Sequence, residues 1–324
     1  MQRSVRRIVM LGYPGAQILD ITGPLEVFAR TSRWLHDHRR LAYDAYPLQL
    51  VAPRAGWFET SGGLRLQAAC SYSKASKAHI LLIAGGIGYR NQLADRALLR
   101  WIAAQAPQVA RLGSICTGAL LLAGAGVLRS KRATTHWAYF DHLREVAPEV
   151  EVDRDAIFVR SGNIYTSAGV TAGMDMALAM VEADWGKATA VAVAQELVMF
   201  LKRPGGQSQF SRHLAAQQRD DVFGTLELWM LEHLDADLSV ETLARRASMS
   251  PRHFARLFKV RLGTTPAAYV RRLRVEEARR QIESGSARVK HVARSSGFTD
   301  DQHMRRAYKR LLGVTPAEYR SRFQ

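Results

Sequence analysis

The sequence predicts an α/β domain followed by an all-helical domain. Over the first 200 residues short apolar runs alternate with helical patterns, which is typical of a parallel sheet covered on both faces. From residue 222 onward only helical periodicity is found. The run Lys202-Arg-Pro-Gly-Gly separates the two parts, because proline and glycine do not continue a helix. We expect a doubly wound parallel-sheet sandwich over 1–203, a linker over 204–221 and a helical domain over 222–324.

In the first domain we expect the elements in the following order. Strands are predicted over Ile8–Leu11, 48–52, 79–84, 109–115, 156–159 and 164–166, with a turn and short strand over 61–66. Helices are predicted over 23–30, 95–104, 171–185 and 187–201. The first strand is too short for the apolar core of a signal peptide, and no apolar run reaches the roughly 18 residues of a membrane span. We therefore expect a cytoplasmic protein without a membrane partner.

The cysteine content and the net charge restrict the class of protein further. The chain of 324 residues has two cysteines, Cys70 and Cys116, which exclude a disulfide framework and show no metal-ligand spacing. We expect neither a metal nor a cofactor. The formal net charge is +17, and residues 222–324 hold 20 Lys and Arg against 11 Asp and Glu. A basic helical domain favours a polyanionic partner such as nucleic acid. A solvated helical surface is the alternative.

Cys116 ends an apolar run and is followed directly by a helix of small residues, Gly118–Gly126. This order places a thiol on a sharp turn at the carboxyl end of a strand, where open α/β sheets bind their ligands. A helix N-terminus lowers the pKa of a thiol, and this pattern predicts such a shift for Cys116. Three roles are compatible with this position of Cys116: catalysis, sensing and lining a pocket.

The last hundred residues contain an internal repeat. The segment 253–259 and the following 263–269 recur at 303–309 and 313–319, an offset of 50. Each copy predicts a helix-turn-helix: a short helix over 240–247 or 289–295, a tight turn, and a second helix with Ser250 or Thr299 as N-cap. Phe254, Leu257 and Phe258 face the core in the first copy, and Met304, Ala307 and Tyr308 do so in the second.

A long helix is predicted between the copies, over residues 266–284, with Gly285 after its end. Its length is roughly 27 Å at about 1.5 Å per residue. Successive major-groove faces of DNA lie about 34 Å apart, so one chain can present two recognition helices to one face of DNA. A helical protein-interaction module is the alternative.

The outward faces of the second helices are rich in arginine. They carry Arg252, Arg256 and Lys259 in the first copy and Asp301, Gln302, Arg305, Arg306 and Lys309 in the second. Arginine binds guanine, glutamine binds adenine and aspartate accepts from cytosine in the major groove. Such faces favour sequence-specific binding of double-stranded DNA.

The region 238–323 resembles the AraC/XylS family of DNA-binding domains, through both repeats and both Gly-x-x-Pro-x-x-Tyr-type tails. The resemblance implies a transcriptional regulator that binds promoter DNA and RNA polymerase. By carry-over, the base-reading residues are Arg252, Ala255 and Arg256 in the first copy and Asp301, Gln302, Arg305 and Arg306 in the second. Ala255 offers only an apolar contact to a thymine methyl group.

The N-terminal half resembles the ThiJ/PfpI branch of the class I glutamine amidotransferase-like fold, which implies a flavodoxin-like sandwich. The matching stretches are 13–28, 84–86, 114–118, 132–137 and 166–173. The resemblance implies one of two uses for this half. In an enzyme, Cys116 is the nucleophile beside Asp20, His136 is a candidate catalytic histidine, and N–H groups near Gly86 and Thr117 form an oxyanion hole. Cys116, Thr117 and Asp20 also resemble the set used by isonitrile hydratase.

In a sensor, the same residues line a pocket for a small metabolite and the chain is not an enzyme. The predicted pocket residues are Asp20, Gly85, Gly86, Cys116, Thr117, His136 and Trp137. Trp137, Tyr13 and Tyr89 are either an aromatic wall for a cationic ligand or core residues. We expect a nitrogen-containing effector and a homodimer formed through this domain. An amidase or hydratase fused to a DNA-binding domain and a thiol redox sensor are the alternatives.

Overall fold

A computed structural model describes residues 5–38, 40–199, 201, 222–283 and 289–321. The chain divides into two compact units, 1–203 and 204–324. The predicted linker over 204–221 and the predicted helix end at Ser284 and Gly285 lie outside the described residues. Within the described ranges, no helix is both long enough and apolar enough to span a membrane.

The first unit is a three-layer α/β sandwich of eleven strands, seven α-helices and two short 3₁₀ helices among its described residues. The strands are β1 (Ile8–Leu11), β2 (Leu48–Ala52), β3 (Gly56–Glu59), β4 (Arg65–Ala68), β5 (Cys70–Ser71), β6 (Ile80–Ile83), β7 (Arg111–Ile115), β8 (Arg132–Ala133), β9 (Glu151–Val152), β10 (Phe158–Ser161) and β11 (Ile164–Ser167). The helices are α1 (Ile18–Asp37), α2 (Tyr89–Ala94), α3 (Arg96–Gln105), α4 (Gly118–Gly124), α5 (Phe140–Val146), α6 (Val170–Trp185) and α7 (Lys187–Glu196).

The main sheet has the strand order β10-β11-β7-β6-β1-β2-β5. All neighbouring pairs are parallel except β10 with β11, so the predicted parallel sheet is confirmed with one antiparallel edge strand. From β1 the chain first builds outward through β2 and β5, and then returns to add β6 on the other side. The carboxyl ends of β1 and β6 therefore flank the topological switch point, where ligands bind in open α/β sheets.

Several element bounds differ from the sequence-based expectations. Helix α1 begins at Ile18 rather than residue 23, and it contains Pro24 within its length. A glycine followed by a proline, as at 23–24, is typical of a helix start. Here both residues lie inside the helix, and one backbone hydrogen bond is missing because Pro24 has no N–H group. Strands β3, β5, β8 and β9 and helices α2 and α5 were not predicted. Helix α7 ends at Glu196, five residues before the expected end.

A buried ionic cluster lies at the opposite edge of the sheet from the switch point. Asp184, at the end of α6, accepts two hydrogen bonds from Arg111, at 2.8 and 2.6 Å, and one from the Tyr46 hydroxyl at 2.7 Å. Arg6 Nε lies 3.3 Å from the same carboxylate. Burial raises the pKa of Asp184, but these hydrogen bonds and positive charges outweigh it and hold the pKa below its usual value. The cluster ties α6 to the amino ends of β1 and β7.

The second unit is entirely helical over its described residues. Its helices are α8 (Val222–Glu232), α9 (Val240–Arg246), α10 (Pro251–Leu262), α11 (Pro266–Glu283), α12 (Val289–Ser295), α13 (Asp301–Leu312) and α14 (Pro316–Ser321). One apolar core is built from α8, α9, α10 and the first half of α11. A separate core is built from the second half of α11 with α12 and α13. The two cores confirm two helix-turn-helix units joined by one long helix.

Candidate functional site

Cys116 lies on a strained turn between β7 and α4. Its φ of +53° is in the left-handed region, which is uncommon for a residue with a side chain. The turn is held because the Cys116 N–H donates to the Ser167 carbonyl at 3.0 Å, and the Thr135 hydroxyl donates to the Cys116 carbonyl at 2.8 Å. Such strain persists only where the surrounding structure over-determines it, and it is common at functional sites.

Asp20 is fully buried on the first turns of α1 and faces the loop after β6. Its Oδ2 atom accepts a hydrogen bond from the Gly85 N–H at 3.0 Å. Its Oδ1 atom has no hydrogen-bond partner among the described residues. Burial raises the pKa of Asp20 to about 7, although the Gly85 N–H opposes this shift. The carboxyl group therefore titrates near neutral pH.

The loop at Gly85 and Gly86 approaches both Asp20 and the cysteine turn very closely. A Cβ atom at Gly85 would lie 2.6 Å from the Asp20 Oδ2 atom and 2.7 Å from the Thr117 nitrogen, so no larger residue fits there. The Gly86 N–H donates to the Thr117 hydroxyl at 2.9 Å, and that hydroxyl donates back to the Gly86 carbonyl at 3.1 Å. The Gly86 N–H, predicted as an oxyanion donor, is thus already occupied.

The expectation of a lowered thiol pKa at Cys116 is wrong. Burial and the nearby Asp20 carboxylate raise the pKa of Cys116 to about 12, although the backbone and side chain of Thr117 oppose the shift. Helix α4 has only seven residues, and its N-terminal stabilisation is outweighed by the loss of solvent around the sulfur. At neutral pH Cys116 is a thiol, not a thiolate.

His136 is half-buried at the start of the 3₁₀ helix Trp137–Tyr139. Its Nδ1 atom accepts the Ala138 N–H at 3.3 Å, so the ring proton of the neutral form is on Nε2. Burial lowers the pKa of His136, which favours that neutral form. The imidazole therefore offers an N–H donor at its free edge. A general base would need a free ring nitrogen there instead.

Only one of the three aromatic residues considered as a pocket wall is exposed to solvent. Trp137 is 55% exposed, whereas Tyr13 and Tyr89 are buried core residues. The Tyr13 hydroxyl donates to the Ala84 carbonyl at 2.9 Å, and the Tyr89 ring packs edge-on against Tyr139. Of the two interpretations, the structure favours core packing for both tyrosines. No group of metal-binding side chains was found among the described residues.

The second candidate surface consists of α10 and α13, the predicted recognition helices. Eight of the nine predicted DNA-contacting side chains are exposed, and Ala255 is half-buried. The apolar faces pack inward as expected, with Phe254 and Phe258 buried in one copy and Met304, Ala307 and Tyr308 in the other. Each helix is twelve residues long and ends at a glycine in the left-handed conformation, Gly263 or Gly313.

The two copies begin differently. Ser250 is the N-cap of α10, as predicted, and accepts from the His253 N–H. In the second copy the prediction of Thr299 is wrong, because Asp300 caps α13 and accepts from the His303 N–H at 2.6 Å. The second turn is one residue longer, which brings the carboxylate into the capping position. Thr299 instead hydrogen-bonds to the ring of His303 at 3.0 Å.

The tyrosine in each repeat tail supports its recognition helix. The ring of Tyr269 packs edge-on against Phe258, with centroids 5.5 Å apart, and Tyr319 packs in the same way against Tyr308 at 6.0 Å. The Tyr269 hydroxyl also donates to the buried carboxylate of Glu227 on α8. The repeated tails are thus part of the packing that orients each recognition helix.

Sequence reasoning assigned no role to Thr135 or Gly297. Thr135 lies within the stretch 132–137 that carried the resemblance, but its hydrogen bond to Cys116 depends on a contact between two loops. Gly297 forms part of the turn between α12 and α13. The available sequence signal was a single glycine in the predicted tight turn, because such a glycine often adopts the left-handed conformation found here, with a φ of +79°.

Comparison with known proteins assigns both units to families. Residues 6–183 match the DJ-1/PfpI family, and residues 243–322 match a helix-turn-helix domain. The HTH-type transcriptional regulator GlxA of Rhizobium meliloti is 30% identical over 282 residues, covering 86% of each chain. The isonitrile hydratase of Pseudomonas putida is 34% identical over 191 residues, covering 59% of this chain and 77% of the hydratase.

A solved structure agrees with the fold of the first unit. A ThiJ/PfpI family protein from Pseudomonas syringae superposes with a TM-score of 0.53 at 26% identity, covering 62% of this chain and 78% of the other. The family match extends over residues 6–183, and the similarity to GlxA extends along most of both chains. These similarities therefore include both units and do not depend on a single motif. The chain therefore belongs to the DJ-1/PfpI family and is a DNA-binding transcriptional regulator with an AraC-type helix-turn-helix domain.

Proposed function

We propose that the first unit is a sensor whose pocket at Cys116 binds a small, cationic nitrogen compound and that this binding controls DNA binding by α10 and α13. The observation that carries the proposal is the buried carboxyl group of Asp20. Among the described residues it has no ion pair, and its Oδ1 atom has no hydrogen-bond partner. A carboxyl group in this state gains most from a positively charged ligand nearby.

The pocket chemistry supports binding rather than turnover. A nucleophilic cysteine needs a thiolate or an adjacent base, and Cys116 has a raised pKa. His136 uses its Nδ1 atom as a helix cap, and the Gly86 N–H is bound to Thr117. The same raised pKa disfavours redox sensing, because oxidants react with the thiolate.

The exposed indole of Trp137 supports the choice of a cation. Its ring lies beside His136, with centroids 5.2 Å apart, on the segment that Thr135 attaches to the cysteine turn. An exposed indole face attracts a quaternary ammonium or guanidinium group with about 0.5 to 2 kcal/mol. Charge attraction by Asp20 acts over a few ångströms in this dry environment and needs no direct contact.

Control of DNA binding follows if the effector favours one arrangement of the chain over another. A ligand shifts such an equilibrium only by its difference in affinity for the two states. We expect the active assembly to be a homodimer that binds promoter DNA and RNA polymerase. These partners are proposals that follow from the AraC-type domain.

The test is a ligand screen on the full-length protein by thermal shift and calorimetry. Each quaternary ammonium, amine or guanidinium compound is paired with an uncharged analogue of the same shape. We expect only the charged member to bind, Asp20→Asn to weaken binding about tenfold or more, and Cys116→Ser to retain it. Preference for the uncharged or anionic members would contradict the proposal.

The second candidate function is hydration or hydrolysis by Cys116. The similarity to an isonitrile hydratase and the approach of Asp20, Cys116 and Thr117 favour it. Incubation with amide, nitrile and isonitrile panels, with Cys70→Ser as the matched control for Cys116→Ser, distinguishes the two. Turnover that depends on Cys116 but not on Cys70 would replace the sensor proposal.

A further inference from the structure

The two halves of the DNA-binding unit meet on α11. The first core takes Tyr269, Val270 and Leu273 from this helix, and the second takes Val275, Ala278 and Ile282. Arg274 lies between the two sets and belongs to neither core. Since each recognition helix is held by its own core, the relation between the two helices depends on α11 and on the contacts that join the two halves beside it.

Arg274 binds the first half through the loop between α8 and α9. Its Nε atom donates to the Leu234 carbonyl at 2.9 Å, and its Nη2 atom donates to the Ala236 carbonyl at 2.9 Å. Hydrogen bonds from a charged donor are roughly twice as strong as neutral ones. The guanidinium group thus fixes this loop against the middle of α11.

Gly297, in the turn between α12 and α13, is the residue of the second half that lies against Leu234 and Arg274. A Cβ atom at this position would lie 1.8 Å from the Leu234 carbonyl oxygen and 2.7 Å from Arg274 Nε. With its φ of +79°, only glycine lets the turn rest on the loop of the first half. We call Leu234, Arg274 and Gly297 the inter-half contact.

The inter-half contact borders a cleft between the halves. This cleft has a volume of about 580 Å³, and both halves line it with apolar and charged side chains, among them Val270, Phe298, Asp235, Arg271 and Arg294. The halves are therefore not joined by continuous apolar packing on this side. The turn at Gly297 leads directly into α13, so the contact also sets where the second recognition helix begins.

We propose that the inter-half contact holds the two recognition helices at one distance and angle, so that the protein accepts only one spacing between its two DNA half-sites. Moving a half-site by one base pair shifts it by about 3.4 Å along the DNA and rotates it by about 35°. A chain free to bend at Arg274 absorbs part of that change, and a fixed chain does not. The inference rests on α10 and α13 being the recognition helices.

The experiment uses the full-length chain and an operator selected from a random double-stranded DNA library. Affinity is measured for that operator and for versions with one base pair inserted or removed between the half-sites. We expect the wild-type chain to lose about tenfold or more on either change, as for a mismatched site. We expect Arg274→Gln and Gly297→Ala to lose less than about threefold.

Arg271→Gln is the matched control, because it removes the same charge from the same helix and cleft. It should keep the wild-type ratio between spacings, even if absolute affinity falls. The inference fails if the wild-type chain tolerates both spacings, if the control loses discrimination equally, or if Arg274→Gln keeps it while circular dichroism shows a folded chain. Arg274→Lys provides a second variant should Gly297→Ala not fold.

A separate measurement tests the assignment on which the inference rests. If Arg256→Ala and Arg306→Ala select the same operator with unchanged affinity, α10 and α13 are not the recognition helices. Loss of selection in these variants together with unchanged spacing discrimination in Arg274→Gln would overturn only the inter-half contact.

Discussion

The hydroxyl of Thr135 donates a hydrogen bond to the carbonyl oxygen of Cys116 at 2.8 Å. This bond attaches the segment that carries His136 and Trp137 to the turn after β7. It uses the main-chain oxygen of Cys116 and does not involve the sulfur. Two loops and a helix that are far apart in sequence therefore meet here, with the Asp20 carboxylate close enough to Cys116 to raise the pKa of its thiol.

The first prediction concerns the reactivity of Cys116. With its pKa raised to about 12, the thiol should react with iodoacetamide at pH 7.5 at least about 100-fold more slowly than in the unfolded chain. Mass spectrometry of the Cys70→Ser variant measures the rate at Cys116 alone. Reaction faster than in the unfolded chain would show a thiolate and favour catalysis.

The second prediction concerns Asp20. Its pKa is raised from 3.8 to about 7 by folding, so the folded state binds the proton more tightly. The stability gained from this proton is complete below pH 3.8 and is lost as the pH rises towards 7. Asp20→Asn should therefore be more stable than the wild type at pH 8, by about 2 to 4 kcal/mol, and should show little difference near pH 4.

Thermal unfolding of both chains across this pH range measures the effect. Asparagine keeps an oxygen for the Gly85 N–H, so the comparison isolates the charge. A variant that is less stable than the wild type at pH 8 would mean that Asp20 has a counter-ion in the folded protein.

The third prediction concerns Asp184, whose environment lowers the pKa of its carboxyl group, whereas that of Asp20 raises it. Hydrogen bonds and charges from Arg111 and Arg6 hold its pKa down, so its stabilising effect is present at neutral pH and is lost as the pH falls below the usual carboxyl range. Asp184→Asn leaves two half-buried arginines without a counter-charge and should destabilise the chain by about 3 kcal/mol at pH 7. Denaturant unfolding measures this loss, and an unchanged midpoint would contradict it.

The fourth prediction concerns DNA recognition. Arg256→Ala and Arg306→Ala should each weaken operator binding by about 1 to 3 kcal/mol and relax the sequence preference at one position. Arg261→Ala is the control, because it removes the same charge from α10 about 140° around the helix from Arg256. Equal loss in all three variants, with a shallower salt dependence, would indicate contacts to phosphate only.

The local sequence pattern was sufficient to predict much of the fold of this protein. Apolar runs and small-residue helices predicted the parallel sheet and the position of Cys116 at its carboxyl edge, because strand burial and turn position depend on nearby residues. The repeat predicted two helix-turn-helix units and which side chains of α10 and α13 face outward. Helix periodicity alone is sufficient for that assignment.

The tertiary structure decided what depends on distant residues. The pKa of Cys116 rises because the surrounding core removes solvent and the Asp20 carboxylate lies nearby, whereas the local pattern indicated the opposite direction. The cap at Asp300 and the contact of Arg274 with Leu234 and Gly297 depend on how turns meet in space. Sequence pattern fixes which residues face the core or solvent, but electrostatics and close approach are set by neighbours that only folding brings together.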